Sequence, residues 1–265
     1  MAKHHETWGN ARGPFPWIGG KTMLADQLIA VMPQHQVYCE PFAGAANVFF
    51  RKPQVRFEVL NDLDGDVANF FRVAQNHREE LLRTIRFAVP ARAEFDRLRA
   101  ICPEHLTDIQ RAARFFYLLK TSFGARRNGI SFAFHAQRAI SSAAVQALIE
   151  AAHERLARVT IENRPYAEVI RRVDRREALF YVDPPYRGST PYEMNFGDAD
   201  YLALAKLLAG IKGKFILSLN DQPWLRKVFA AFRQRRVRNR YSILHRLEVA
   251  ELAISNFPMR LGEAI

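Results

Sequence analysis

The chain alternates short apolar runs with amphipathic stretches along most of its length, and this alternation leaves few folds open. Runs typical of strands cover residues 36–42, 55–62, 158–163, 178–183 and 214–221, and two more follow at 233–243 and 248–257. Helical patterns occupy 22–33, 62–75, with Asp64 as the expected N-cap, and 198–210. Strands that alternate with helices predict an α/β fold built on an open sheet.

Residues 77–157 interrupt this alternation with a mainly helical, Arg-rich block. Pro90, Pro103 and the loop 124–129 break the block into shorter pieces. We therefore expect one domain formed by residues 1–76 and 158–265, with 77–157 inserted as a subdomain. The run Phe115 to Tyr117 is expected to form part of the core of this insert.

The charge of the chain points to a polyanionic partner. The formal net charge is +12 and the isoelectric point is near 10.1. Residues 71–140 carry 13 Lys or Arg against 6 Asp or Glu, and residues 226–246 carry eight against none. Two basic blocks on an otherwise slightly acidic chain favour nucleic acid as the partner, ahead of an anionic membrane surface.

Cysteine use and hydropathy suggest a compartment. The two cysteines, Cys39 and Cys102, have neither metal-type spacing nor a paired framework, which is typical of a reducing compartment. The eight histidines have no ligand spacing, so we expect no metal. The sequence has no signal-peptide pattern and no run of about 18 apolar residues. We expect a soluble, cytoplasmic protein without a membrane partner.

The segment Pro14 to Thr22, PFPWIGGKT, ends like a phosphate-binding loop. Such a loop requires a glycine six positions before the lysine, after a buried strand. Phe15 occupies that position, and Gly13, Pro14 and Pro16 prevent a strand. The sequence therefore indicates another use for Trp17, Gly20 and Lys21.

The string ALFYVDPPYRG places Asp183, Pro184, Pro185 and Tyr186 at the end of an apolar strand. An Asp carboxylate and a proline-fixed carbonyl can each accept one N–H of an exocyclic amine on a nucleobase, which frees the nitrogen lone pair. The tyrosine ring can stack on the base, a contact worth about 1–3 kcal/mol. The alternative is a simple turn in which Asp183 caps a helix, but the whole string after a strand favours chemistry.

A second motif, YCEPFAGAANVFF, contains Gly44 in a turn after the strand at 36–42. Glycine permits a tight turn and a close approach of the backbone to a cofactor. Asp62 follows at the end of the next strand, where a carboxylate can accept both hydroxyls of a ribose. Asp62 could equally cap the following helix. Because ligands bind at the carboxyl ends of the strands in open α/β sheets, we expect these motifs at one edge.

Together these motifs resemble the Dam-type DNA adenine methyltransferases, over about Pro14 to Pro258. The matching pieces, in the family's order, are Trp17-Ile18-Gly19-Gly20-Lys21, Phe42-Ala43-Gly44-Ala45-Ala46, the 77–157 block and Asp183-Pro184-Pro185-Tyr186. The resemblance implies a Rossmann-like, S-adenosylmethionine-dependent methyltransferase sheet with helices on both faces. It also implies a target-recognition role for the insert. Ala46 departs from the family's second glycine, and the insert only loosely echoes the family's recognition pieces.

The resemblance assigns functions to particular residues. S-adenosylmethionine is expected to bind near nine of them: Trp17, Gly20, Lys21, Glu40, Phe42, Gly44, Asp62, Tyr166 and Asp183. Tyr166 is expected near the cofactor adenine. Catalysis is assigned to Asp183, Pro184, Pro185 and Tyr186. DNA contacts are assigned to Arg126, Arg127 and Asn128, although the two arginines could be plain surface charge because most protein–DNA contacts go to phosphate.

The predicted activity is methylation of adenine N6 in duplex DNA after flipping of the base. The insert and the basic 226–246 arm would neutralise phosphates. Cytosine N4 methylation and a catalytically silent DNA-binding protein with the same fold are the alternatives. A methyltransferase acting on RNA or on protein glutamine fits the motifs less well. A cognate restriction enzyme, its absence, and a monomer or homodimer are all compatible with the sequence.

Overall fold

The computed structural model describes residues 12–17, 24–122, 132–133, 143–187, 196–240 and 248–259, with backbone alone for 238–240 and 248–250. The strands are β1 (Val37–Glu40), β2 (Phe57–Asn61), β3 (Val159–Glu162), β4 (Ala178–Val182), β5 (Lys214–Asn220), β6 (Arg233–Arg240) and β7 (Glu248–Ser255). The helices are α1 (Ala25–Ala30), α2 (Asn47–Arg51), α3 (Gly65–Asn76), α4 (Arg78–Arg86), α5 (Arg92–Ala100), α6 (Asp108–Thr121), α7 (Ala143–Leu156), α8 (Tyr166–Val173), α9 (Asp198–Ala209) and α10 (Pro223–Val228). A short 3₁₀ helix spans Pro103–His105.

The strands of the described chain form one seven-stranded sheet in the order β3-β2-β1-β4-β5-β7-β6. The first five strands of this order pair in parallel, whereas β7 pairs antiparallel with both β5 and β6. Buried apolar residues cover both faces of the sheet and form two clusters. The predicted α/β fold with an open sheet is therefore confirmed.

Local sequence explains where several elements begin and end. The side chain of Asp64 accepts the N–H of Asp66 at 2.9 Å and caps α3, as predicted. Thr107 and Gln110 form a reciprocal capping box at the start of α6. Helix α1 ends before Pro33, as the sequence indicated.

Helices α4 to α7 lie between α3 and β3, where the sequence placed the helical block. Phe115 and Phe116 of α6 are buried against Phe70 of α3, so the block shares a core with the sheet domain. Phe115 to Tyr117 are buried, as predicted, but in a core shared with α3 and not in a separate core of the insert. Because this core is continuous, the division into 1–76 with 158–265 and an inserted 77–157 stays a prediction.

A buried ionic cluster links α7, the last helix of this block, to the sheet. The Glu58 carboxylate on β2 accepts from Arg155 of α7 at 2.5 and 2.9 Å and from Lys52 at 2.6 Å. The Arg155 guanidinium also lies 3.7 Å from the centroid of the Phe49 ring. None of the helices in the described part of the chain is long and apolar enough to cross a membrane.

Candidate active site

The site lies where β1 and β4 run side by side. The chain continues from β1 to β2 on one side and from β4 to β5 on the other, so the connections leave this pair in opposite directions. Ligands of open α/β sheets bind at the carboxyl ends of the strands at such a point. Glu40 ends β1, and Asp183 directly follows the last residue of β4.

The carboxylate of Asp183 is held from the neighbouring strand. The Ser218 hydroxyl of β5 donates to Asp183 Oδ1 at 2.8 Å. The hydroxyl of Tyr181 lies 3.0 Å from Ser218 Oγ, so three polar groups form a connected row beneath the loop. Ser218 is fully buried. Its hydrogen bond orients the carboxylate.

The rest of the loop after β4 is anchored to α9 and α10. The Tyr201 hydroxyl donates to the Pro185 carbonyl at 2.5 Å. The Arg187 guanidinium makes two hydrogen bonds to Asp198, at 2.6 and 2.9 Å, and stacks on Trp224. Pro184 is buried, whereas Asp183, Pro185 and Tyr186 are half-buried. Hydrogen bonds therefore fix the backbone of the loop, while the side chains of Asp183 and Tyr186 remain partly accessible.

Glu40 is a buried carboxyl group beside Asp183. It is 1% exposed and accepts the Tyr38 hydroxyl at 2.8 Å. Burial raises the pKa of Glu40 to about 8, because its charged form is desolvated, and the hydrogen bond from Tyr38 opposes this only partly. The charge on Asp183 also raises this pKa. Glu40 therefore holds a proton at neutral pH and adds little negative charge next to Asp183.

The turn between β1 and α2 has a tight left-handed backbone. Gly44 has a φ of 49°, and a Cβ placed there would lie 2.6 Å from Nε1 of the Trp17 ring. Ala46 stands where the Dam-type family has its second glycine. It also has a positive φ, of 52°, and is buried. Alanine is thus accommodated at a backbone conformation that favours glycine.

Asp62 faces this turn from β2. Its Oδ2 accepts the Gly44 N–H at 2.8 Å, and its Oδ1 accepts the Asp64 N–H at 2.9 Å. The alternative that Asp62 caps the next helix is wrong, because Asp64 has that role. A carboxylate in this place is the type of group that accepts the hydroxyls of a ribose.

An aromatic cluster lies on the other side of the β1 end. The rings of Phe42 and Tyr166 are 5.0 Å apart, and Phe196 contacts both, at 5.7 and 5.9 Å. Asn61 fixes the loops that carry Phe42 and Tyr166. Its side-chain amide donates to the Pro41 and Arg164 carbonyls, at 2.9 and 3.0 Å, and its Oδ1 accepts the Arg164 N–H.

The opening segment packs on the turn rather than around phosphates. Phe15 is buried against Phe70, Phe71 and Phe115, which supports rejecting the phosphate-loop interpretation. The Gly13 N–H donates to the Asn47 side chain at 3.0 Å. Trp17 is half-buried between Gly44 and the Phe115 ring.

The chemistry of these groups fits S-adenosylmethionine. Asp62 can accept the hydroxyls of a ribose, the Phe42 and Tyr166 rings can stack on adenine, and the glycine turn allows the backbone to approach closely. The structure thus brings together seven of the predicted cofactor residues: Trp17, Glu40, Phe42, Gly44, Asp62, Tyr166 and Asp183. Gly20 and Lys21 lie outside the described residues, as do Arg126, Arg127 and Asn128.

Sequence reasoning missed the residues that hold the site in place. Ser218 is the only polar residue within the apolar stretch Phe215 to Leu219, and a buried hydroxyl in such a run usually has a partner. This signal could have identified it. The contacts of Asn61 with Pro41, of Tyr201 with Pro185 and of Phe196 with Tyr166 join residues at least 16 positions apart, and nothing in the local pattern marks them.

The sheet order and the loop after β4 define the class as a Rossmann-like methyltransferase fold. The chain belongs to the D12 class N6 adenine-specific DNA methyltransferase family, whose model matches residues 17–243.

Individual relatives match over shorter stretches. The chain is 28% identical over 116 residues to the DNA N-6-adenine-methyltransferase of Escherichia phage P1, covering 42% of this chain and 15% of that protein. It is 28% identical over 125 residues to the type II methyltransferase M1.LlaDCHI of Lactococcus lactis subsp. cremoris, covering 43% of this chain and 42% of that protein. It is 29% identical over 70 residues to the DNA adenine methylase of Escherichia coli (strain K12), covering 26% of this chain and 25% of that protein. The matches therefore span less than half the length of these relatives.

Proposed function

We propose that this protein transfers a methyl group from S-adenosylmethionine to the exocyclic N6 of a flipped adenine in duplex DNA. The observation that carries the proposal is the placement of Asp183 at the β1/β4 switch point, with its carboxylate held by Ser218. A charged acceptor fixed at this edge is suited to bind an amine. Membership of an adenine-specific DNA methyltransferase family supports adenine N6 as the acceptor.

The loop after β4 binds the target base through two acceptors and a ring. The Asp183 carboxylate and the Pro184 carbonyl each accept one N–H of the amine, which localises the nitrogen lone pair. The Pro185 carbonyl already accepts the Tyr201 hydroxyl, so it anchors the loop rather than the base. Tyr186 stacks on the base. Because these groups are held before the substrate arrives, their effect is mainly positioning and electrostatic stabilisation.

Residues around the glycine turn hold the cofactor. Asp62 accepts the ribose hydroxyls, and Phe42 and Tyr166 line the adenine side. Trp17, Gly20, Lys21 and Glu40 complete the site near the catalytic loop. S-adenosylmethionine, when bound, supplies a methyl group on a positively charged sulfur. Glu40 holds a proton at neutral pH, so it adds little negative charge next to Asp183.

The inserted block 77–157 provides target recognition, and the remaining chain provides catalysis. Arg126, Arg127 and Asn128 contact base edges or phosphates in this proposal. The net positive charge of the block favours duplex DNA as its partner.

Replacement of Asp183 by alanine tests this function. We expect transfer of labelled methyl to unmethylated genomic DNA to fall by at least about a hundredfold, since a charged acceptor is removed from the transition state. Binding of DNA should remain measurable. Glu177→Ala, which removes an exposed carboxylate directly before β4, at the edge of the sheet opposite the site, is the matched control and should keep full activity. Normal transfer by Asp183→Ala, or no transfer by the wild type when both ligands bind, would contradict the proposal.

A further inference from the structure

Strands β6 and β7 form a ribbon that extends beyond the rest of the sheet. Their pairing runs from Arg233 with Ser255 to Arg240 with Glu248. The pairing of β7 with β5 ends earlier, at Glu251 with Asn220. Three further pairs therefore extend past β5, a distance of about 10 Å at 3.3 Å per residue.

The extension is on the same side of the sheet as the candidate active site. Since β5 and β6 are both antiparallel to β7, they run in the same direction, and the extension lies beyond the carboxyl ends of the parallel strands. Arg235 is level with Ser218, the residue that contacts Asp183, because both pair with Ala253. The end of the ribbon therefore projects past the level of Asp183.

Arginine dominates the outer strand of this ribbon. Five of the eight residues of β6 are Arg, and none is acidic. Arg233, Arg235 and Arg236 are exposed. Arg236 pairs with Asp221 at 2.8 Å, which offsets its charge, and in the register Glu248 lies opposite Arg240. The strand remains strongly positive after these two pairs are discounted.

We propose that the β6–β7 ribbon binds the sugar-phosphate backbone of duplex DNA beside the target base; this inference rests on the proposed function. Three strand spacings of about 4.8 Å separate β4 from β6, a lateral distance of about 14 Å. For a duplex whose axis runs across the strands, at 3.4 Å per base pair, the ribbon contacts phosphates about four pairs from the flipped adenine. The ribbon acts by neutralising phosphates and does not read the sequence.

A simpler explanation is that the arginines protect an edge strand from aggregation. In the described part of the chain β6 is the end of the sheet, where charged residues prevent edge-to-edge pairing. Charges of either sign, a proline or a bulge serve that purpose. Protection does not require a strand with five arginines, nor an extension towards the catalytic side, so the observations favour DNA.

The test compares two double variants. One carries Arg238→Gln and Arg240→Gln, and the other carries Arg238→Lys and Arg240→Lys. Binding of an unmethylated duplex is measured as a function of salt. For the Gln pair we expect an affinity about tenfold lower at about 50 mM salt, and a salt slope reduced by about one to two. The Lys pair keeps the charge and should keep the wild-type slope.

The double variant Arg176→Ala with Lys212→Ala is the matched control. It removes two exposed cations before β4 and β5, at the opposite edge of the sheet, and should leave the slope as in the wild type. An unchanged slope in the Gln pair, an equal loss in the control, aggregation without loss of affinity, or a loss confined to duplex RNA would each overturn the inference. An unchanged slope in the Gln pair with normal methyl transfer would contradict only the DNA-binding role of the ribbon. A ribbon-dependent slope without any transfer would contradict the proposed activity alone.

Discussion

Ser218 controls how the Asp183 carboxylate is presented, although it lies 35 residues further along the chain. Its hydroxyl joins Asp183 to the Tyr181 hydroxyl within the core. The sheet therefore fixes the carboxylate before any substrate binds. A carboxylate without this donor could rotate and would spend part of its time away from the amine.

Replacing Ser218 with alanine should lower kcat by about ten- to a hundredfold, the value of one hydrogen bond to a charged group, about 1.5–3 kcal/mol. The KM for S-adenosylmethionine should change little. Tyr181→Phe, which keeps the bond from Ser218 to Asp183, is the control and should have a smaller effect. Steady-state kinetics of methyl transfer measure both. A Ser218→Ala enzyme with the wild-type kcat would remove Ser218 from this role.

Glu40 should make stability depend on pH. The folded protein keeps the Glu40 proton up to about pH 8, whereas the unfolded chain loses it near the ordinary pKa of 4.5. Its contribution to stability is thus fully present below about pH 4.5 and is lost as the pH rises to about 8.

The Glu40→Gln variant lacks this titration. Its stability relative to the wild type should therefore increase between pH 5 and pH 8, as measured by urea denaturation at both values. Glu79→Gln, at an exposed position of α4, should show no such trend. A difference between Glu40→Gln and wild type that stays constant with pH would exclude a raised pKa for Glu40.

At the scale of elements, the turn between β1 and α2 determines whether the cofactor can bind. Gly44→Ala would add a Cβ against the Trp17 ring at a positive φ, a conformation that costs about 1–2 kcal/mol for other residues. We expect the affinity for S-adenosylmethionine to fall about tenfold or more, as measured by calorimetry. Gly210→Ala, where the added Cβ meets its nearest neighbour at 3.6 Å, is the control. Equal affinities for Gly44→Ala and wild type would place the cofactor elsewhere.

The sequence predicted elements better than it predicted contacts. Strand positions and the Asp64 cap follow from local patterns and are confirmed for the described residues, whereas residues 241–243 of the predicted strand 233–243 lie outside them. Helix α8 was not predicted, although Val169, Ile170 and Val173 lie on one helical face after Pro165 and give a local signal. The contacts of Asn61 with Pro41 and Arg164 depend on the pairing of strands, which no local pattern specifies.

At the scale of the whole molecule, the ionic cluster around Glu58 links α7 to the sheet inside a shared core. Arg155→Ala would leave the buried Glu58 carboxylate without its main partner. We expect it to lower the free energy of unfolding by about 3–5 kcal/mol. Arg72→Ala, which breaks the exposed pair between Arg72 and Asp108, should cost at most about 1 kcal/mol.

Urea denaturation followed by tryptophan fluorescence and circular dichroism measures both changes. The two probes should give coincident transitions, because the helices and the sheet share one core. A separate early transition of the helical signal would instead show that α4 to α7 unfold as an independent unit.

The identity of the methylated base decides whether the protein is an adenine N6 methyltransferase. Wild-type protein, S-adenosylmethionine carrying a labelled methyl group and unmethylated genomic DNA are incubated, and the nucleosides of the digested product are separated. We predict label in 6-methyladenine, together with its loss in the Asp183→Ala variant. Label in 4-methylcytosine, or no label when cofactor and DNA both bind, would contradict it.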